Sequence, residues 1–317
     1  MDRSPSRVSV FAPATISNLG PGFDVLGLAL EEPGDVVWVE RVAGQGVVSV
    51  TVEGDGGRIP VDASRNSASV AAQAVLDLVG AADTGLRVGV KKGLPISAGL
   101  GGSAASAVAG AVATNLLLGA GASDELLLRA AIRGEAAGSG AAHADNAAPA
   151  LLGGLVLVLP GEPLGWVRIP TPAELHVAVA RPHLEVETKG ARALLPRRVP
   201  LEAGIRQWGN AAAFIAACYE GDWDLLARSG VDSVAEGVRK GLVAGFDDVV
   251  AAAREAGAAT SGLSGSGPSI FALCRGRPTA DQAGSSMRRA FRRAGLDSDL
   301  VVSAVGKTGA RVIEGHS

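Results

Sequence analysis

The sequence predicts an α+β fold, and three observations carry that expectation. Alternating, β-branched runs dominate the start of the chain. A Gly-rich loop then joins one strand to one long Ala-rich helical run. Strands come first and helices follow in a group, which is not the regular βαβα alternation of a doubly wound sheet. The elements follow in order. Residues 8–12 read as a strand that breaks into a turn-rich stretch with Asn18, Gly20, Pro21, Gly22 and Asp24, followed by the apolar run 25–30. Residues 36–42 and 47–53 alternate and read as antiparallel strands joined through 43–46. Residues 66–79 have helical spacing, with Asn66 suited to the N-cap. A strand at 86–92, helices at 104–118 and 123–137, and a fully apolar strand at 153–159 complete the first half. The second half reads as strands at 166–169 and 176–180, helices at 202–218, 223–228 and 246–256, a strand at 269–274, a helix at 279–294 and a strand at 300–305.

At 317 residues the chain suits one large or two medium domains, because single cores divide beyond roughly 250–300 residues. The turn at 160–163, Pro-Gly-Glu-Pro, marks the expected boundary between an N-terminal domain, 1–160, and a C-terminal domain, 161–317. Charge is nearly balanced, 29 Lys and Arg against 32 Asp and Glu, so there is no electrostatic footprint for nucleic acid. Two cysteines, Cys218 and Cys274, make no disulfide framework, and the N-terminus lacks the apolar core of a signal peptide, so a reduced cytoplasm is the expected location. The uncharged stretch 93–123 is mostly Ala and Gly, broken by Pro95, Ser97, Ser103, Ser106, Thr114 and Asn115. It reads as a helix buried in a soluble core and not as a membrane span.

The chemistry centres on residues 93–106, Gly-Leu-Pro-Ile-Ser-Ala-Gly-Leu-Gly-Gly-Ser-Ala-Ala-Ser. Glycine removes the Cβ that would block a close approach. The helix that follows presents unpaired N–H groups and the positive end of its dipole, so loop and helix form an anion site suited to phosphate. A tight turn that binds nothing is the competing reading. No Walker Lys-Ser/Thr pair follows the glycines. Gly99-Leu-Gly101-Gly-Ser-Ala104 fits a dinucleotide fingerprint, but its glycines start too far from the strand, which leaves a dehydrogenase as a minor alternative. Asn18 and Asp24 are either turn formers or a polar pair that receives an amine. Glu135 lies near a helix C-terminus, where a carboxylate opposes the dipole. It pairs either with Arg133 or with a divalent cation, and Mg²⁺ would draw on Ser103 and Glu135 together. A second Gly-rich loop holds Gly262, Gly265 and Gly267.

Three separated signatures occur in one order, and together they resemble the GHMP small-molecule kinases. Pro95-Ile-Ser-Ala-Gly-Leu-Gly-Gly-Ser-Ala104 is similar to that family's second motif, and Gly262-Leu-Ser-Gly-Ser-Gly-Pro268 to its third. Ala12-Pro-Ala-Thr-Ile-Ser-Asn-Leu-Gly-Pro-Gly-Phe-Asp-Val-Leu-Gly27 and His143-Ala-Asp-Asn146 resemble the homoserine kinase branch. The resemblance spans about residues 8–305. It implies a two-domain GHMP kinase fold, with mixed and antiparallel sheets and helices packed on them. It implies ATP and Mg²⁺ as cofactors and L-homoserine as a small-molecule substrate, on the route to threonine. Neither nucleic acid nor a membrane is an expected partner, and a homodimer is left open.

By position, the resemblance implies a nucleotide site of Asn66, Lys92, Pro95, Ile96, Ser97, Ala98, Gly99, Leu100, Gly101, Gly102, Ser103, Gly265, Ser266 and Gly267. Ser103 and Glu135 would hold the metal. Asn18, Asp24, His143, Asn146, Arg192 and Arg239 would surround the amino acid, with Asn146, Thr188 and Arg192 nearest the reaction. A zwitterion needs an acid for its ammonium, which Asp24 supplies, and an Arg for its carboxylate, which Arg192 and Arg239 supply. Gly102 replaces the first of the family's two serines. Asn146 stands where mevalonate kinase-like members have an Asp base, and Asp145 is expected to point away from it, so no dedicated base is implied. Another GHMP-type alcohol kinase and a non-catalytic nucleotide-binding module are the alternatives.

Overall fold

The first alternating run pairs with the second over nearly its whole length. The computed structural model describes residues 6–139 and 144–316, and in it β1 (Arg7–Asn18) lies antiparallel to the long β2 (Gly22–Val42). β1 runs past the expected break at residue 12. Its Pro13 and its turn formers are absorbed by register shifts between Pro13 and Thr15 and between Ser17 and Asn18, the places where a strand tolerates proline and an unpaired residue. β3 (Gly46–Glu53), α1 (Ser67–Leu78) and β4 (Gly85–Lys91) follow. The expected direct pairing of 36–42 with 47–53 is corrected here. β4 lies between them, antiparallel to β2 and parallel to β3. The crossover through α1 returns the chain in the same direction, as a parallel pair requires. Asn66 caps α1 as expected, accepting from the Ala68 and Ser69 N–H groups at 3.1 and 3.2 Å.

α2 (Gly102–Leu118) and α3 (Asp124–Ser139) pack with α1 behind the sheet. α2 is buried on nearly all sides, and its small residues allow close approach: a Cβ on Gly110 would stand 2.5 Å from the Ala68 carbonyl. Residues 144–146, expected in a polar turn, instead open α4 (Ala144–Leu152). Burial of Ala147, Ala148 and Ala150 outweighs the helix-breaking tendency of Pro149 within it. The expected boundary turn at 160–163 joins β5 (Leu155–Leu159), which pairs with the first half of β2, to β6 (Gly165–Ile169) in the same sheet.

The second half supplies β7 (Leu175–Pro182), α5 (Thr188–Ala193), α6 (Leu201–Glu220), α7 (Trp223–Ser229), α8 (Glu236–Arg239) and α9 (Phe246–Glu255). β8 (Thr260–Leu263), β9 (Ile270–Arg275), α10 (Arg277–Arg293) and β10 (Ser298–Ala304) follow. Its antiparallel sheet runs β10-β7-β9-β8. α9 and α10 cover one face through Phe246, Val249, Met287 and Phe291, and α10 turns Arg288, Arg289, Arg292 and Arg293 to solvent. β11 (Arg311–His316) returns to pair with β1 in the first sheet. Among the described residues no helix is long and apolar enough to cross a membrane.

Candidate active site

A cavity of about 450 Å³ opens where the two halves meet. One wall is the loop between β4 and α2. Gly101 takes the N-cap position of α2 at φ 65° and offers no side-chain cap, so the first N–H groups of the helix stay available to an anion. A Cβ on Gly101 would meet Thr15 Oγ1 at 2.0 Å, so only glycine fits. The described non-glycine residues with positive φ are Ser97 in this loop and Asn18, Leu19 and Asp24 in the turn region facing it. Strain of this kind persists where the surroundings over-determine the backbone.

Both ends of the loop are fastened by one buried carboxylate. Asp35 Oδ1 accepts the Gly93 and Leu94 N–H groups, each at 3.0 Å. Its Oδ2 pairs with Lys92 Nζ and accepts from Ser106 Oγ at 2.7 Å, while Lys92 Nζ also donates to the Gly102 carbonyl at 3.1 Å. Lys92 therefore lines the cavity with its ammonium already held by three partners, and its present task is to fix the loop. The second Gly-rich loop braces the other side. Ser264 Oγ donates to the Gly99 carbonyl and Ser269 Oγ to the Ala98 carbonyl. Gly265 N–H donates to the Ser17 carbonyl at 3.2 Å.

Pro95 through Ser103, Asn66, Gly265 and Ser266 line the cavity. Gly267 does not. It stands behind the loop, where its carbonyl would lie 2.8 Å from a Cβ on Gly99. Glu135 and Ser103 both face the cavity. Arg133, two residues from Glu135, points to the other side of α3 and is exposed, whereas Glu135 is buried. Burial, and then the negative charge of Asp145, push the Glu135 carboxyl well above its ordinary range. A divalent cation would relieve that cost. Among the described residues no three His, Cys, Asp or Glu side chains cluster as a ready metal cage. A carboxylate, a hydroxyl and room for phosphate oxygens nevertheless suit Mg²⁺, which binds few protein ligands.

The acceptor side is built from side chains. Asn18 Nδ2 donates to the Gly265 carbonyl at 3.0 Å, and its Oδ1 accepts the Asp24 N–H at 3.1 Å. Arg192, on α5, forms a two-pronged pair with Asp24 at 3.1 and 2.7 Å. Arg239 is buried, donates to the Ala191 and Gly265 carbonyls at 3.4 and 3.3 Å, and stacks over Phe23. Thr188 Oγ1 lies 3.5 Å from Ser266 Oγ. Asn146 accepts from Thr15 Oγ1 at 2.8 Å and donates to Ser17 Oγ at 3.0 Å. His143 lies outside the described residues. Asp145 does not point away from Asn146. Both line the cavity, and Asn146 Nδ2 lies 3.5 Å from Asp145 Oδ1, because α4 starts here and turns both side chains to the site. Burial, with Asp24 nearby, raises the Asp145 carboxyl to about 7.

Sequence reasoning missed Asp35, Ser264, Ser269 and the position of Asp145. Asp35 left a readable signal. It shares strand parity with the buried Val37 and Val39, and a charge at such a position demands a buried partner.

A helix N-terminus behind a glycine loop, a buried carboxylate beside it and a basic, polar acceptor pocket define a small-molecule kinase. The chain belongs to the GHMP kinases: the family model for the GHMP kinases N terminal domain matches residues 66–154 and that for GHMP kinases C terminal matches 214–293. Within them it groups with the homoserine kinases. It is 43% identical to the homoserine kinase of Chlorobium phaeobacteroides over 314 residues, 96% of this chain and 98% of that one. It is 40% identical to that of Pyrococcus abyssi over 298 residues, 94% and 97% of the two chains. The crystal structure of homoserine kinase from Cytophaga hutchinsonii matches with a TM-score of 0.94 at 42% identity, covering 99% of both chains. L. major mevalonate kinase, at 18% identity and a TM-score of 0.73, shares the fold.

Proposed function

We propose that the chain transfers the γ-phosphoryl group of ATP to the side-chain hydroxyl of L-homoserine, giving ADP and O-phospho-L-homoserine, a step of threonine biosynthesis. The observation that carries this reading is the full-length likeness to homoserine kinases, joined to a site whose acceptor side offers the Asp24 carboxylate and two arginines. The Asp24–Arg192 pair is a template for a zwitterion. The substrate's ammonium replaces Arg192 at Asp24, and its carboxylate replaces Asp24 at Arg192, so each charge exchanges one partner for another and none is left bare. Arg239 adds a second cation.

The loop from Pro95 to Ser103 and the N-terminus of α2 hold the phosphates. Ser103 and Glu135 are the residues that would hold Mg²⁺, which supplies charge neutralisation at the transferred group. Asn146 has no proton-accepting form at neutral pH, so it orients the hydroxyl. Phosphoryl transfer passes through a loose transition state, and alignment plus charge neutralisation carry most of the acceleration. The hydroxyl proton leaves to the phosphate or to water. An ADP-release assay with homoserine, mevalonate, galactose and shikimate tests the reading. Turnover with homoserine far above the rest is the expected result. Turnover with another alcohol, or ATP binding without turnover, overturns it.

A further inference from the structure

α5 is too small to hold itself in place. It has six residues, and Ala191 is its one buried side chain. Residues 184–187, which lead into it from β7, belong to neither strand nor helix, and Val186 is the one buried among them. Yet this stretch carries Thr188 and Arg192 to the cavity. A segment with so little apolar burial depends on polar ties to stay in position. Arg192 pairs with Asp24 on β2, and Thr188 Oγ1 lies 3.5 Å from Ser266 Oγ. At the leading end Glu185 Oε1 accepts from Arg58 Nη1, a guanidinium from the first half of the chain.

A shaped loop presents Arg58. Gly56 and Gly57 take positive φ. The buried Asp55 closes the turn, accepting the Gly57 N–H at 3.1 Å and the Ile59 N–H at 2.7 Å. Asn66 Nδ2 fastens the far side by donating to the Pro60 carbonyl at 3.0 Å. Arg58 Nε itself donates to the Asp55 carbonyl at 3.4 Å. Part of the side-chain freedom that an exposed ion pair forfeits is therefore already lost before Glu185 is met.

The tie matters most when substrate is bound. On the homoserine reading, on which this role rests, the substrate's ammonium displaces Arg192 from Asp24. α5 then loses its tie to β2 just as Arg192 must meet a carboxylate. The Arg58–Glu185 pair lies outside that exchange, since Glu185 is not part of the cavity lining. We infer that Arg58 and Glu185 are positioning residues of the acceptor site: their pair anchors α5 to the first half of the chain and keeps Arg192 within reach of the substrate carboxylate. Arg58 also lines the cavity beside Asn66, so direct contact with the nucleotide is the rival role, and it predicts a change in the KM for ATP instead.

Steady-state kinetics of Arg58→Glu, Glu185→Arg and the double swap separate the two. Each single reversal should raise the KM for homoserine about fivefold, the upper end for an exposed pair, by more than it lowers kcat, and leave the KM for ATP nearly unchanged. The swap should restore the KM for homoserine. The two side chains are 51% and 54% exposed, so the fold should survive, which a cooperative thermal melt checks. Single reversals with the parent KM for homoserine overturn the inference, as does a swap that fails to restore it. A rise confined to the KM for ATP in Arg58→Glu overturns it in favour of a nucleotide contact. Hydrogen exchange over residues 184–193 tests the tie without any acceptor. Exchange should quicken when Arg58→Glu is added to Arg192→Ala, which frees α5 from Asp24, and slow again when Glu185→Arg is added. If the parent fails to phosphorylate homoserine but exchange responds in this way, the substrate reading falls and the tie stands. If the parent phosphorylates homoserine and exchange does not respond, the tie alone falls.

Discussion

The two sides of the cavity are built differently. The phosphate side is backbone: glycines at positive φ, an uncapped helix N-terminus, and a loop fastened at both ends by Asp35, Lys92 and Ser106. The acceptor side consists of side chains drawn from β1, β2, α4, α5 and α8, and its principal charges, Asp24 and Arg192, occupy each other. The first arrangement is complete before ligand arrives. The second has to exchange an internal ion pair for an external one. On the proposed assignment, a site of this kind would bind phosphate through rigidity and select its acceptor through charge geometry. Substitutions should therefore separate cleanly into those that damage the loop and those that damage recognition.

The sharpest break is at the fastening. Asp35 and Lys92 are almost fully buried, and removing one member of a buried pair leaves an uncompensated charge that costs about 3–5 kcal/mol. Asp35→Ala should lower stability in urea titration by that order and raise the KM for ATP. Asp35→Asn, which keeps an acceptor for the Gly93 and Leu94 N–H groups, should recover part of the KM. A stable Asp35→Ala protein with unchanged KM for ATP would show that the loop holds its shape without the pair. Next comes the proposed metal site. Glu135→Ala should cut kcat by ~10²-fold or more, because it removes the carboxylate proposed to hold the Mg²⁺ that would neutralise charge at the transferred phosphoryl. Near-normal Mg²⁺-dependent turnover would remove Glu135 from that role.

The same contrast explains what the sequence disclosed. The first Gly-rich loop was legible because it rests on glycine, a residue with a physical signature of its own, set between a strand and a helix. The element types were also largely legible, since 66–79 carries helical spacing and an Asn66 cap, and 104–118 is a long Ala-rich run ending before Gly119. The sheet order was not. Nothing local to 36–53 reveals that β4 inserts between β2 and β3, because that is decided by a crossover thirty residues later. The start of α4 was hidden by Gly-rich residues before it and by Pro149 within it. With it went the orientation of Asp145, since neighbouring side chains diverge in a strand but can share one opening at a helix start. The Asp24–Arg192 pair joins residues 168 positions apart, beyond any spacing rule.

The acceptor side should respond more gently than the loop. Arg192 is partly exposed, so its truncation is softened by water. Arg192→Ala should raise the KM for homoserine about tenfold, roughly 1.4 kcal/mol, and leave the KM for ATP nearly unchanged. Equal rises in both constants would place Arg192 in general architecture and not in carboxylate recognition.

The smallest effect is on pH-dependent stability, and it reaches both sides. Burial raises Asp145, in the acceptor pocket, to about 7. It does the same to Glu236, which accepts the Leu263 N–H at 2.9 Å on β8, the strand leading into the second Gly-rich loop. In the unfolded chain these groups ionise near the ordinary values of 3.8 and 4.5. Between those values and about 7 the native protein binds more protons than the unfolded one, so the contribution is full in acid and is lost as pH rises through 7. Ligand-free protein should therefore lose stability between pH 5 and pH 8. Asp145→Asn and Glu236→Gln should each flatten the decline by on the order of 1 kcal/mol, read from urea midpoints at the two pH values. If the Asp145→Asn curve runs parallel to the parent while Glu236→Gln flattens, the acceptor pocket already holds Asp145 ionised. Its carboxylate would then be paired as firmly as the loop's Asp35, and the contrast between a finished phosphate side and an exchangeable acceptor side would narrow to Asp24 and Arg192 alone.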